Sequence, residues 1–414
     1  MMLTSRRAAL VLVLVTLVGL PMLAQRPGPQ GPPPPPGPQG PPPPPPGGPL
    51  FGGPLAGLSP FERQLFEEGR VEFEQVEDVA SGLGPVFNDR SCVGCHFAGG
   101  IGGGSNRTVT RFARRAGGTF DPLSQLGGSL IQERGIGFVQ TPRGPHRFDG
   151  ERVPAEANVV TERRTPPLFG LGLVDAVPAD TFIGLAAAQA GTATAGRVNV
   201  VVDRTTGSQA VGRFGWKSHV ATLLEFSADA YLNELGITNP MFPDESCPQG
   251  DCAALAFNPA PALNDDGTAV QALANFMLAL APPSRGAVGQ DQRDGELIFA
   301  QIGCANCHVP SLRTGPNAIA ALDQVAFQPY SDFLLHDMGS LGDGMQQGQA
   351  GGREFRTAPL WGLRVARRLL HDGRADSIAN AVLMHDGQAR DSRDRAVALG
   401  PDLQARLLAF LQSL

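Results

Sequence analysis

The sequence predicts a mainly α protein of two related domains with small β and loop insertions, preceded by an export signal and a Pro/Gly-rich linker. A segment with helical apolar spacing runs into each of two Cys-x-x-Cys-His motifs, and another apolar helix follows each motif far downstream. A short segment is also repeated, because residues 164–171 read RTPPLFGL and residues 356–363 read RTAPLWGL. We therefore expect one repeated unit around each motif.

The N-terminal residues 1–24 have the features of a signal peptide. Arg6 and Arg7 precede an apolar run, and Ala24-Gln25 offers a cleavage point. Residues 25–57 are mostly proline and glycine, a composition that cannot bury a core and that predicts a disordered linker. We expect export to the periplasm or another extracytoplasmic space, with membrane contact only through an uncleaved N-terminal anchor.

Two helix starts organise the remaining chain. Ser59-Pro60 begins the first helix with a capping residue, and a similar start near Asp291 runs directly into the second motif. The matching downstream helices are expected over residues 270–280 and 403–414. The short apolar run 198–202 predicts a strand within an insertion.

A proline-rich break after the first closing helix predicts the domain boundary. It divides an N-terminal domain, residues 58–283, from a C-terminal domain, residues 287–414. The chain has 414 residues, of which 42% are hydrophobic, enough for two cores. Its formal net charge of -6 gives no basic surface, so nucleic acid is excluded as an expected partner.

The two Cys-x-x-Cys-His motifs predict covalent haem. Paired thiols two residues apart form thioethers with the haem vinyl groups, and the adjacent histidine becomes the proximal iron ligand. A zinc site would need further ligands, and a redox dithiol gives no reason for a histidine after each pair. We predict two covalently bound haem c groups in two cytochrome c-like domains. The residues predicted to bind them are Cys92, Cys95, His96, Cys304, Cys307 and His308.

The two other cysteines, Cys247 and Cys252, enclose a turn-forming loop. In an oxidising compartment a structural disulfide is the expected state. A catalytic dithiol is the alternative, although no neighbouring residue in the sequence suggests a lowered thiol pKa.

The spacing of residues in the sequence does not decide which side chain is the sixth ligand of either iron. His336, Met338, His371, Met384 and His385 compete for the second iron, and spacing alone does not choose among them. His146 and His219 are the corresponding candidates for the first iron. The Arg356-Thr357 turn is expected to pack or to contact a haem propionate rather than to react.

Several segments together resemble the di-haem oxidoreductase family of peroxidase-like and thiol oxidoreductase proteins, which is related to bacterial di-haem cytochrome c peroxidases. They are LGPVFN at 83–88, PLFGLG at 167–172, GRFGWK at 212–217, YSDFLLHDMG at 330–339 and LHDGRA at 370–375. The resemblance covers residues 58–414. It implies a C-terminal haem that stores or relays electrons and an N-terminal haem at which an oxidant reacts.

The resemblance also suggests a ligand for the second iron. In the wider peroxidase family the sixth ligand of the C-terminal haem comes from a helix after the His-Asp-Gly turn. That helix corresponds to residues 378–385, and the ligand position falls on His385. Met338 is the second choice, because its thioether is a soft ligand.

One departure from the family concerns the first repeat. It continues with LVDAVP at 173–178 and lacks a counterpart of His371-Asp372-Gly373. No acid/base residue for peroxide cleavage is therefore identified, and the catalytic residues stay unknown.

The sequence leads to one functional hypothesis and two alternatives. The chain is expected to be an extracytoplasmic di-haem c-type oxidoreductase, similar to a cytochrome c peroxidase. Electrons would enter at the C-terminal haem from a small redox protein or a quinol-linked donor and pass to an oxidant, peroxide first among them, at the N-terminal haem. The alternatives are a non-catalytic electron-transfer cytochrome and a di-haem oxidase of thiols or another organic substrate.

Overall fold

The computed structural model describes residues 51–414 of the chain. The predicted signal peptide and most of the predicted linker lie outside the described residues. The last part of that linker is packed: Phe51 bridges to Gly100, and Leu55 is buried and donates its backbone N–H to Ala279. The folded part therefore begins before residue 58.

The prediction of a mainly α fold is wrong, because the fold is mixed. Of the described residues, 35% are helical and 19% are in strands or bridges. The helices are α1 (Pro60–Glu74), α2 (Leu171–Asp175), α3 (Ala179–Gln189), α4 (Leu223–Leu235), α5 (Thr268–Ala279), α6 (Gln290–Gln301), α7 (Ile378–Met384), α8 (Arg390–Ala398) and α9 (Pro401–Leu411). No helix among residues 51–414 is long and apolar enough to cross a membrane.

The strands form six small antiparallel sheets in the described part of the chain. They are β1 (Val86–Phe87), β2 (Thr108–Ala116), β3 (Thr119–Asp121), β4 (Arg134–Gly135), β5 (Gly137–Thr141), β6 (Gly144–Phe148), β7 (Val159–Arg164), β8 (Asn199–Asp203), β9 (Ser208–Gly212), β10 (Leu312–Arg313), β11 (Ala326–Phe327), β12 (Leu335–Asp337) and β13 (Glu354–Arg356). The largest has three strands in the order β3-β2-β7, with Thr108 opposite Arg164. The other sheets are two-stranded pairs: β1-β4, β5-β6, β8-β9, β10-β11 and β12-β13.

The expected helix before each motif is present, and each packs against the expected downstream helix. Helix α1 begins after Ser59, whose hydroxyl accepts from the Glu62 backbone while the Glu62 carboxylate accepts from the Ser59 backbone. It packs on α5, and α6 packs on α9 in the same way. The strand expected at 198–202 is β8.

A glycine lies at each of these two helix contacts. A Cβ on Gly69 of α1 would lie 2.1 Å from the Ala272 carbonyl of α5, and one on Gly295 of α6 would lie 2.0 Å from the Arg406 carbonyl of α9. Phe276 and Phe410 are the facing aromatic residues. Only glycine lets the two backbones approach so closely. The two helix pairs therefore share one packing design.

The cores show how the second half of the chain joins the first. The larger hydrophobic cluster is built around α1, α4 and α5 but also includes Leu312, Phe327 and Trp361 from beyond the predicted boundary. A smaller cluster joins α6 and α9 around Phe299 and Phe410. The predicted boundary residues remain a prediction, and the apolar packing crosses them.

Candidate haem-binding sites

The second Cys-x-x-Cys-His motif follows α6 directly. Cys304 and Cys307 lie in a tight turn, and the His308 backbone N–H donates to the Cys304 carbonyl at 3.0 Å. His308 Nδ1 lies 2.9 Å from the Tyr330 carbonyl oxygen. Because the protonated Nδ1 donates to that carbonyl, Nε2 carries no proton and keeps a lone pair for a metal.

The predicted sixth ligand lies opposite this histidine. His385 caps the C-terminus of α7, and its Nδ1 lies 2.7 Å from the Ala381 carbonyl oxygen. The ring centres of His308 and His385 are 6.4 Å apart. An iron bound by both imidazoles, with about 2 Å to each nitrogen, would separate the ring centres by roughly 6.3 Å. The spacing would therefore allow the two imidazoles to hold one haem iron together.

Burial keeps both of these imidazoles neutral. It lowers the pKa of His308 to about 4 and also lowers the pKa of His385. A metal-binding histidine must be neutral, so the environment favours the ligating form of both side chains.

The other candidates for the second iron have different surroundings. Burial of His336 by itself lowers its pKa, but its Nε2 lies 3.0 Å from Asp332 and its Nδ1 lies beside Cys307, and these contacts together raise the pKa to about 10. His371 stacks on Phe355 with ring centres 4.2 Å apart. Met384 is 37% exposed. Met338 lines the same cavity as His385. The side chain whose ring centre lies 6.4 Å from that of His308, however, is His385.

The first motif repeats the local geometry of the second. The His96 backbone N–H donates to the Cys92 carbonyl at 2.9 Å, and His96 Nδ1 lies 3.1 Å from the Gly103 carbonyl oxygen. An edge of Phe73 approaches His96 with ring centres 6.1 Å apart, and Phe299 lies 6.2 Å from His308. Burial lowers the pKa of His96 to about 4. The first histidine is therefore prepared as a ligand in the same way.

The two sites differ in what lies opposite the proximal histidine. Among residues 51–414, no second imidazole approaches His96 as His385 approaches His308. His146 stacks on Phe257 with ring centres 4.6 Å apart. His219 lines a separate polar cavity of about 420 Å³. Neither of the two expected candidates forms a facing pair with His96.

The four motif cysteines are separate thiols in this structure, and Cys247 and Cys252 form the expected disulfide. Burial raises the pKa of the Cys95 and Cys304 thiols to about 12. A redox dithiol needs a lowered thiol pKa, so these environments favour inert thiols over a dithiol centre.

One large cavity extends beside both motifs. Its volume is about 1550 Å³, and it is lined by Cys304, Cys307, His308 and His385 at the second motif and by Val93 and Phe97 at the first. The cavity is also lined by Trp216, by His371 and by Arg164 and Arg356 of the repeated segment. A mostly apolar cavity of this size with a histidine pair fits a haem.

Some of these features could have been found in the sequence, and others could not. The pattern Gly-x-x-x-Phe occurs at 69–73 and again at 295–299, and it marks the helix contact and the aromatic residue beside each proximal histidine. The carbonyl groups that orient the histidines belong to Gly103 and Tyr330, residues with no such signal.

A family model described as "Di-haem oxidoreductase, putative peroxidase" matches residues 152–414. No curated protein matches the chain. Among solved structures, a diheme peroxidase, BthA, from Burkholderia thailandensis is 15% identical, with 86% of each chain covered and a TM-score of 0.40. A MauG-like protein associated with microbial copper homeostasis is 14% identical, with 89% of this chain and 94% of that chain covered and a TM-score of 0.39. Hydrazine synthase from Kuenenia stuttgartiensis is 14% identical, with 86% of this chain and 89% of that chain covered and a TM-score of 0.36.

Proposed function

We propose, from the premise that this chain belongs to the di-haem oxidoreductase family, that it reduces peroxide in an extracytoplasmic compartment. Membership of this family makes the chain a redox enzyme and implies two haems. The observation that carries the proposal is the difference between the two motifs. The ring centres of His308 and His385 lie 6.4 Å apart beside the second motif, whereas no second imidazole lies this near His96 among the described residues.

The residues proposed to hold the haems are those of the two motifs. Cys92 and Cys95 would form thioethers with one haem, and Cys304 and Cys307 with the other. His96 and His308 would be the proximal ligands, and His385 the sixth ligand at the second site. The haems would supply one-electron chemistry, with the C-terminal group receiving electrons and the N-terminal group delivering them to peroxide.

The protein's own contribution would be to fix the side chains that hold the two haems. The Tyr330 and Ala381 carbonyls accept from Nδ1 of His308 and His385, which leaves Nε2 of both rings unprotonated and able to hold a metal. The Gly103 carbonyl does the same for His96. Because no second imidazole lies this near His96 among the described residues, a haem held there would be the one that meets a small oxidant. A small redox protein or a quinol-linked donor is the proposed source of electrons.

The test combines spectroscopy with turnover in the purified holoprotein. Acid-acetone extraction should leave two haems on each chain, because thioether bonds survive it. Electron paramagnetic resonance of the half-reduced protein should show a high-spin signal that peroxide removes, together with peroxide-dependent oxidation of a reduced small donor. Two low-spin signals indifferent to peroxide would support an electron carrier and refute the proposal. A high-spin iron that ignores peroxide but is reduced by thiols would instead support a thiol oxidase.

A further inference from the structure

Two arginines, the half-buried Arg164 and the buried Arg356, occupy the same position in the repeated segment. Arg164 begins RTPPLFGL, and Arg356 begins RTAPLWGL. Both side chains line the large cavity that lies beside the two motifs. Arg356 is only 8% exposed.

Each arginine reaches into the other half of the chain. Arg164 Nε donates to the Leu370 carbonyl at 2.9 Å, and Arg356 Nε donates to the Gly215 carbonyl at 2.9 Å. Trp216 joins the two, because its indole N–H donates to the Arg164 carbonyl and its own carbonyl accepts from the Arg356 N–H. The two arginines therefore lie beside Trp216, where the two halves of the chain meet.

Neither arginine forms a salt bridge with a carboxylate of residues 51–414. The contrast is clear at the preceding position, because Arg163 pairs with Asp343 at 2.7 Å. Burial lowers the pKa of both Arg164 and Arg356 to about 10, with no acidic neighbour to offset it. A buried cation without a counter-ion is costly, so an anionic group absent from the polypeptide is expected in this cavity.

We propose that Arg164 and Arg356 bind haem propionates and that the two guanidinium groups hold these carboxylates in the shared cavity around Trp216. This inference rests on the proposed binding of two haems. The planar guanidinium group of an arginine complements a carboxylate in charge and can donate two parallel hydrogen bonds to it. An arginine without a carboxylate partner beside a haem cavity is therefore suited to bind a propionate. Because each arginine belongs to one repeat and is oriented by the other, the position of the propionates depends on both halves together.

The test is the midpoint potential of each haem in full-length holoprotein carrying Arg164→Gln or Arg356→Gln. Titrations are run at mildly alkaline pH, where a propionate stays ionised. Loss of a nearby cation favours the oxidised haem, so at least one potential should fall. The expected change in the redox equilibrium is on the order of tenfold, which is about 59 mV for one electron. Arg164→Lys and Arg356→Lys should recover most of the shift, because the charge is kept.

The matched control is Arg353→Gln, three residues before Arg356. Arg353 pairs with Asp337 at the surface, and its side chain is 65% exposed, so both potentials should stay at the wild-type value. If both Gln variants of the cavity arginines keep two haems at wild-type potentials, the arginines are structural and the inference is refuted. Two haems would still be present in that outcome, which separates it from failure of the proposed function.

A measurement on the unaltered protein covers the case in which the Gln variants do not fold. The resonance Raman propionate bending mode changes frequency when a propionate accepts hydrogen bonds. We expect the hydrogen-bonded frequency for at least one haem. Free-propionate frequencies for both haems in the wild-type protein would also refute the inference.

Discussion

Replacement of His385 is the most direct test of the histidine pair beside the second motif. The ring centres of His385 and His308 are 6.4 Å apart, close to the roughly 6.3 Å expected when one iron binds both imidazoles. His385→Ala removes one of the two nitrogens that would hold that iron. One haem per chain should then change from low spin to high spin, while the other haem keeps its spectrum.

The assay is optical and electron paramagnetic resonance spectroscopy of the oxidised protein, normalised to haem content. Added imidazole should enter the space left by the ring and restore the low-spin signal, since the cavity is open to small molecules. His146→Ala is the control, because His146 stacks on Phe257 and should leave both haems unchanged. An unaltered His385→Ala spectrum would refute the reasoning and transfer the ligand assignment to Met338, which lines the same cavity.

Three further predictions concern stability. Asp343→Asn should lower the free energy of unfolding by about 3–5 kcal/mol in denaturant titrations, because Asp343 lies between buried Arg163 and Lys217. Gly295→Ala should cost about 1–3 kcal/mol, because the new Cβ meets the α9 backbone, whereas the control Gly184→Ala in α3 meets nothing within 4 Å and should cost nothing. Burial raises the pKa of Glu245 from 4.5 to about 7, so the folded state binds the extra proton between these values and stability should fall as the pH rises through them. Glu245→Gln should remove that dependence in unfolding titrations.

Each of these predictions has a contrary outcome. An Asp343→Asn variant as stable as wild type would mean that the buried charges relax without their partner. Equal stabilities of the two glycine variants would show that the α6 and α9 backbones can separate at no cost. A pH dependence that survives Glu245→Gln would assign it to another group.

The sequence predicted the motifs, the individual helices and the disulfide because each rests on local spacing, and the repeated order of helix, motif and downstream helix indicated how the helices pair. It predicted the wrong fold class because the strands carry little signal. Strand β2 reads TVTRFARRA without regular alternation, and several strands are only two residues long. Their pairing is decided by distant partners, as when Thr108 lies opposite Arg164.

The residues of the candidate site also divide into those that local spacing predicts and those that only the folded chain brings together. The spacing of the cysteines and histidines identified both motifs, since haem attachment needs residues close together in the chain. The approach of His385 to His308 joins distant segments, and only the family resemblance pointed to it. Arg164 was visible as part of a repeat, but the absence of a carboxylate beside it can be seen only in the folded chain.

The pairing of α1 with α5 also bears on the order in which the protein is made. Synthesis delivers the chain from its N-terminus, so Cys92 and Cys95 emerge long before the residues of α5, whereas α9 follows Cys304 and Cys307 after a shorter interval. Until its closing helix arrives, a motif cannot be enclosed. If haem is attached to these thiols as proposed, the first pair would stay accessible for longer than the second before its helix pair can close.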